Sequence, residues 1–162
     1  MPVRWLLALV ALALPAAAAA QEPPAQTPQE LFGGLIVNDP KTTPTMRDNL
    51  RSGAAFIAPR PTFADITGDG RSDAVVEARI AGAAGTIGVY VFSTDAAAEG
   101  RLRVVFRSQA LYRATVRVAP GTLLVTVPQY AKGDDVCCPA RREERRYAWD
   151  AASHTLRRRP AT

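Results

Sequence analysis

Asp65, Asp69 and Asp73 stand four residues apart in "TFADITGDGRSDAVV", residues 62–76, around a Gly-Asp-Gly turn. Carboxylates so placed can converge on a hard cation, or they can accept backbone N–H groups and close a turn. Counted from Asp65, Thr67 stands at position 3, Asp69 at 5, Gly70 at 6, Arg71 at 7 and Asp73 at 9. Calcium takes roughly six to eight oxygens, and side chains at the first, third, fifth and ninth positions with a carbonyl at the seventh supply most of them. The expected ligands are therefore the carboxylates of Asp65, Asp69 and Asp73, the Thr67 hydroxyl and the Arg71 carbonyl. Gly70 permits the sharp reversal that a side chain would resist.

The loop is not an EF-hand. The position that needs a bidentate glutamate holds Val76, and Glu77 comes one residue late. Three carboxylates without that glutamate suggest weak binding, with a dissociation constant of about 10⁻⁴ to 10⁻³ M. An empty turn capped by its own aspartates stays open as the other reading. So does a metal-dependent hydrolase built on the same carboxylates.

The second reactive group is Cys137 beside Cys138, the two cysteines of the chain. With no other cysteine in the chain, a vicinal disulfide between them is expected, and two free thiols or bridges between chains are the alternatives. Adjacent thiols with the lone His154 do not make a four-ligand zinc site. Redox chemistry of the thioredoxin type uses C-x-x-C, which is absent. Catalytic resources are otherwise thin: there is no G-x-S-x-G elbow, H-E-x-x-H or P-loop. The chain therefore reads as a non-enzymatic binding or structural module, with a thiol-active protein working through the cysteine pair as the alternative.

These groups need a frame and a compartment. "MPVRWLLALVALALPAAAAA", residues 1–20, has the charged start, apolar run and small-residue end of a signal peptide. Export to a periplasmic or extracellular, oxidising compartment follows, where disulfides persist. Residues 21–30 are rich in Pro and Gln and read as a flexible linker. Residues 31–158 read as one domain and 159–162 as a tail. No second apolar run is long enough for a transmembrane segment. Residues 21–138 hold 12 basic and 12 acidic groups, so the net charge of +5 comes mainly from the seven arginines set against three acids in residues 139–162. Export argues against nucleic acid as the partner of that basic segment. The expected partner is an envelope or extracellular ligand.

"TTPTMRDNLRSG" predicts a helix, with Thr43 as cap, Pro44 in the first turn and Gly53 past the end. "ELFGGLIV" predicts a second, shorter one. From residue 73 the apolar period becomes two. "DAVVEARI", "TIGVYVFS", "RLRVVFRS", "LYRATVRV", "TLLVTV", "RRYAWD" and "HTLRRR" read as seven short alternating runs, several with charged residues opposite the apolar ones. Leu102, Val104 and Phe106 share one face in this reading, and the arginines share the other. The fold class is mainly β (α+β): an antiparallel meander sheet or partial barrel of about six or seven strands, with one or two short N-terminal helices. The charged faces imply a sheet with one side in water.

The aspartate loop resembles the D-x-[DNT]-x-D-G-x-x-D calcium loops of FG-GAP and VCBS-type repeats, in which a strand also follows. With "VYVF", "VPQYAKGDDVCCP" and "RYAWD", the stretch from about Phe63 to Leu156 resembles a group of exported bacterial proteins. That resemblance implies a secreted domain and carries no established activity.

Overall fold

The computed structural model describes residues 26–94, 101–119 and 121–160. The expected signal peptide and the first half of the linker lie outside the described residues. Two helices, α1 (Pro28–Asn38) and α2 (Pro44–Arg51), come first. Nine strands follow: β1 (Ala55–Ile57), β2 (Thr62–Ala64), β3 (Asp73–Ile80), β4 (Gly85–Ser93), β5 (Arg103–Ser108), β6 (Thr115–Ala119), β7 (Thr122–Gln129), β8 (Arg141–Asp150) and β9 (Thr155–Arg159). They form two antiparallel sheets, with no closed barrel among the described residues. The first sheet runs β1-β3-β4-β5, with β2 also paired to β3, and the second runs β6-β7-β8-β9.

The mainly β class with short helices holds, and the strand count and layering differ from the single meander. α1 begins at Pro28, inside the stretch read as linker. Thr27 caps it and Glu30 bonds back to the Thr27 backbone, a complete capping box. α2 matches its signals: Thr43 caps and Pro44 opens the helix. β1 and β2 have three residues each, too short for an alternation to show. The strand expected from Leu111 begins only at Thr115, because Arg113 adopts a positive φ of 51°.

Two sheets form because β4 is apolar on both faces. Tyr90 and Phe92 point into a core with Phe32, Ile36, Met46 and Leu50 of the helices. Val89 and Val91 point the other way, onto Leu123, Val125 and Leu156 of the second sheet. All four β4 side chains are fully buried. Burying a side chain such as Phe92 contributes ~1.5–3 kcal/mol relative to leaving it in water, so both layers are needed. Water meets the outer face of the second sheet, where Arg117 pairs with Glu144 at 3.4 Å.

A bulge corrects the reading of β5. Val104 pairs with Phe92 but Phe106 pairs with Val91, leaving Val105 as the extra residue. Phe106 therefore turns to the second sheet and stacks on Tyr147 at 4.6 Å. Arg107, opposite Tyr90, turns to the helix side instead of to water.

Candidate functional site

The Asp65–Asp73 loop is built from its own hydrogen bonds. Gly68 N–H donates to Asp65 Oδ1 at 2.6 Å and Gly70 N–H to Oδ2 at 3.0 Å. Both glycines have positive φ, 77° and 80°, which lets the backbone fold over that carboxylate. Asp73 is 1% exposed and takes the N–H groups of Ile66 and Thr67, each at 2.8 Å, on Oδ2. The Thr67 hydroxyl reaches its other oxygen at 3.4 Å. Asp69 accepts the Arg71 N–H at 2.9 Å and holds the Arg71 guanidinium at 2.9 Å. The Arg71 backbone bond, helped by the guanidinium, lowers the Asp69 pKa.

As they stand, the five sequence-predicted residues fit a self-capped turn better than a coordination sphere. Among the described residues no group of three or more His, Cys, Asp or Glu side chains is arranged to hold a metal ion. A calcium ion would need Asp69 to leave Arg71. It would also have to share Asp65 and Asp73 with backbone donors, which a carboxylate with about four lone-pair sites permits.

The cysteine pair lies on the loop between β7 and β8. Cys137 and Cys138 are joined to each other and both are exposed. Asp134 braces the loop from within. Its Oδ2 accepts Ala131 N–H at 2.7 Å and Ala140 N–H at 2.6 Å, tying the two ends together. Cys138 N–H donates to Asp135 O at 2.9 Å, and the Tyr130 hydroxyl donates to Val136 O at 3.0 Å. Tyr130 in turn meets Tyr112 edge to face at 5.7 Å. Val136 is 48% exposed and Tyr112 40%. The tip thus presents a disulfide, an isopropyl group and a tyrosine on a braced support.

The expected arginine-rich ending is paired in part, at Arg145, Arg157 and Arg158. Glu143 bridges Arg145 and Arg158. The hydrogen bonds from Arg145 and Arg158 pull its pKa down to about 2. Arg157 pairs with Asp150, whose pKa is lowered first by the Ser153 hydroxyl. Trp149 and Tyr147 pack against the second core.

Sequence reasoning missed a polar cluster on the helix side of β5. Arg107 Nε donates to Asp39 Oδ2 at 2.8 Å, across 68 residues. Asp39 Oδ1 accepts Lys41 N–H at 3.1 Å. Tyr90 and Thr42 are buried behind them, and neither hydroxyl has a hydrogen-bond partner. Burial pushes the Tyr90 phenol up to about 12, with Asp39 adding to the rise. The signal was the three apolar residues in a row, Val104–Val105–Phe106, which break the alternation of "RLRVVFRS".

No protein-family model, curated protein or solved structure matches this chain.

Proposed function

We propose that the protein is an exported, non-enzymatic binding module that meets an envelope or extracellular ligand with the β7–β8 tip. The observation that carries this reading is the bracing of the exposed bridge by Asp134. A contact surface held in place before binding loses less conformational freedom on binding, and this favours affinity. Exposed Val136 and Tyr112 add apolar surface of the kind that protein and ligand contacts use. The Asp65–Asp73 loop belongs to the same proposal as a weak calcium site. There the ion replaces Arg71 on Asp69 and fixes the entry into β3.

The test is capture from cell-envelope extract by the mature chain, with and without calcium, beside Val136→Asp and a Cys137→Ser/Cys138→Ser variant. The proposal expects a retained component that both variants lose while their melting curves stay close to wild type. Equal capture by all three proteins would remove the tip from the function.

A thiol-exchange role is the second reading, favoured by the exposure of both cysteine residues. It predicts that the wild type, and not the double serine variant, forms mixed disulfides with small thiols at a redox poise where ordinary structural bridges stay closed.

A further inference from the structure

We propose that the groove between β5 and the β8–β9 turn binds an oxyanion, the phosphate or carboxylate group of a small molecule or headgroup. The groove lies where the edge strands of the two sheets meet, and its volume is about 390 Å³. Lys41, Arg103 and Arg107 line one side, and Ser153, His154 and Thr155 the other. No acidic side chain is among its lining residues.

Two of the cations are held with donors to spare. Arg107 gives only Nε to Asp39, and its terminal nitrogens have no partner among the described residues. Those nitrogens are the fork that matches a carboxylate or phosphate in two-point contact. The bulge at Val105 turns Arg107 to the helix side of β5, where it lines both this groove and the adjoining cleft beside Leu35 and Asp39. Lys41 is pinned through its backbone: its N–H donates to Asp39 Oδ1, and its carbonyl accepts from Gln109 Nε2 at 3.1 Å. The Lys41 ammonium makes no ion pair among the described residues. One carboxylate, Asp39, therefore holds the Arg107 guanidinium on one oxygen and the Lys41 backbone on the other, and stays outside the groove lining. It acts as a positioning residue for the anion site.

The opposite wall is fixed as well. Asp150 accepts the Ser153 hydroxyl at 2.9 Å, and the Ser153 Oγ accepts Arg157 Nε at 3.1 Å. His154 sits in the left-handed region, φ 48°, at the hairpin turn and stacks edge to face on Trp149 at 6.2 Å. A positive concavity with rigid walls concentrates anions beyond what the same charges achieve on an open face. On β8 and β9, Glu143 already engages Arg145 and Arg158, and Asp150 engages Arg157.

The experiment is an amide chemical-shift titration of the mature chain with inorganic phosphate and with acetate, at ionic strength matched by chloride. Vesicles of phosphatidylglycerol and of phosphatidylcholine form the lipid arms. Saturable millimolar shifts centred on Lys41, Arg107 and His154 are expected. Lys41→Glu should weaken binding about tenfold or more, equivalent to ~1.4 kcal/mol. Arg117→Glu, on the outer face of the second sheet, should leave it nearly unchanged. Arg107→Lys keeps the charge and should still weaken binding, because the fork is lost. Shifts with free phosphate or acetate assign the site to small molecules. Binding confined to phosphatidylglycerol vesicles and lost in Lys41→Glu assigns it to a headgroup. No saturable shift in any arm, or equal losses in Lys41→Glu and Arg117→Glu, overturns the proposal.

Discussion

Arg107 and Asp39, 2.8 Å apart, join the edge strand of the first sheet to the C-terminal cap of α1. Both side chains are mostly shielded, at 23% and 10% exposure. The pair therefore behaves less like a surface ion pair and more like a buried one, in which losing one partner strands the other. Asp39→Ala is expected to cost ~1–3 kcal/mol by urea unfolding, because Arg107 keeps its charge beside the buried Tyr90. A double-mutant cycle with Arg107→Ala should give a coupling of ~1–2 kcal/mol. Coupling near zero would mean that the two residues stabilise the fold separately.

The three aspartates of the 65–73 loop should not be equivalent. Asp73 is buried and satisfies two backbone N–H groups, so Asp73→Ala should cost ~2–4 kcal/mol. Asp69 is exposed at the tip, and Asp69→Ala should cost less than about 1 kcal/mol in chelator. Millimolar calcium should raise the wild-type stability by only ~1–2 kcal/mol. It should raise that of Arg71→Ala further, since the competing cation is gone, and leave Asp69→Ala unmoved. Identical melting of wild type in calcium and in chelator would leave the loop as a turn alone.

Tyr90→Phe should be neutral or stabilising, within about 1 kcal/mol. The phenol oxygen is buried without a partner, and removing an unsatisfied polar atom from an otherwise apolar site recovers its desolvation cost. A clear loss of stability would show that the hydroxyl does bond, to Thr42 in the first instance.

Acid should loosen the second sheet before the first. Glu143 has a folded pKa pulled down to about 2 from its ordinary 4.5 by its hydrogen bonds from Arg145 and Arg158. A depressed carboxylate contributes stability that is present above the unfolded pKa and is lost as pH falls toward the folded one. Asp150, also lowered, acts in the same direction at the β8–β9 turn. Amide exchange along β8 and β9 should therefore speed up between pH 4.5 and about 2, and Glu143→Gln should flatten that dependence. An unchanged profile in Glu143→Gln would remove the Arg145–Glu143–Arg158 bridge as the cause.

What could be read from the sequence was local. Thr43 and Pro44 announced α2, and the alternation in "TLLVTV" put Leu123, Val125 and Val127 on one buried face. The strands from β3 to β9 were all legible in kind. Layering was not, because alternation reports which residues share a face and says nothing of what covers the opposite one. Val89 and Val91 held that information as an unbroken apolar run with Tyr90 and Phe92. The bulge at Val105 was also beyond a strict period of two, and it reversed Phe106 and Arg107 together. The positions of the aspartate loop and the cysteine pair were plain. The Asp39–Lys41–Arg107 cluster was not, since its members come from a helix cap and a strand 68 residues later.

The bracing of the β7–β8 tip also bears on how this scaffold tolerates change. β7 and β8 are registered by eight consecutive pairs, from Thr122 with Ala148 to Gln129 with Arg141. Beyond them, Asp134 closes the segment from Ala131 to Ala140 upon itself. The sheet below needs nothing from that tip except a fixed distance between its ends. Lengthening such a loop costs little, growing only with the logarithm of its size. The tip is thus an exchangeable cassette. Lineages, or engineers, can graft a different contact surface there while the two cores on either side of β4 keep their packing.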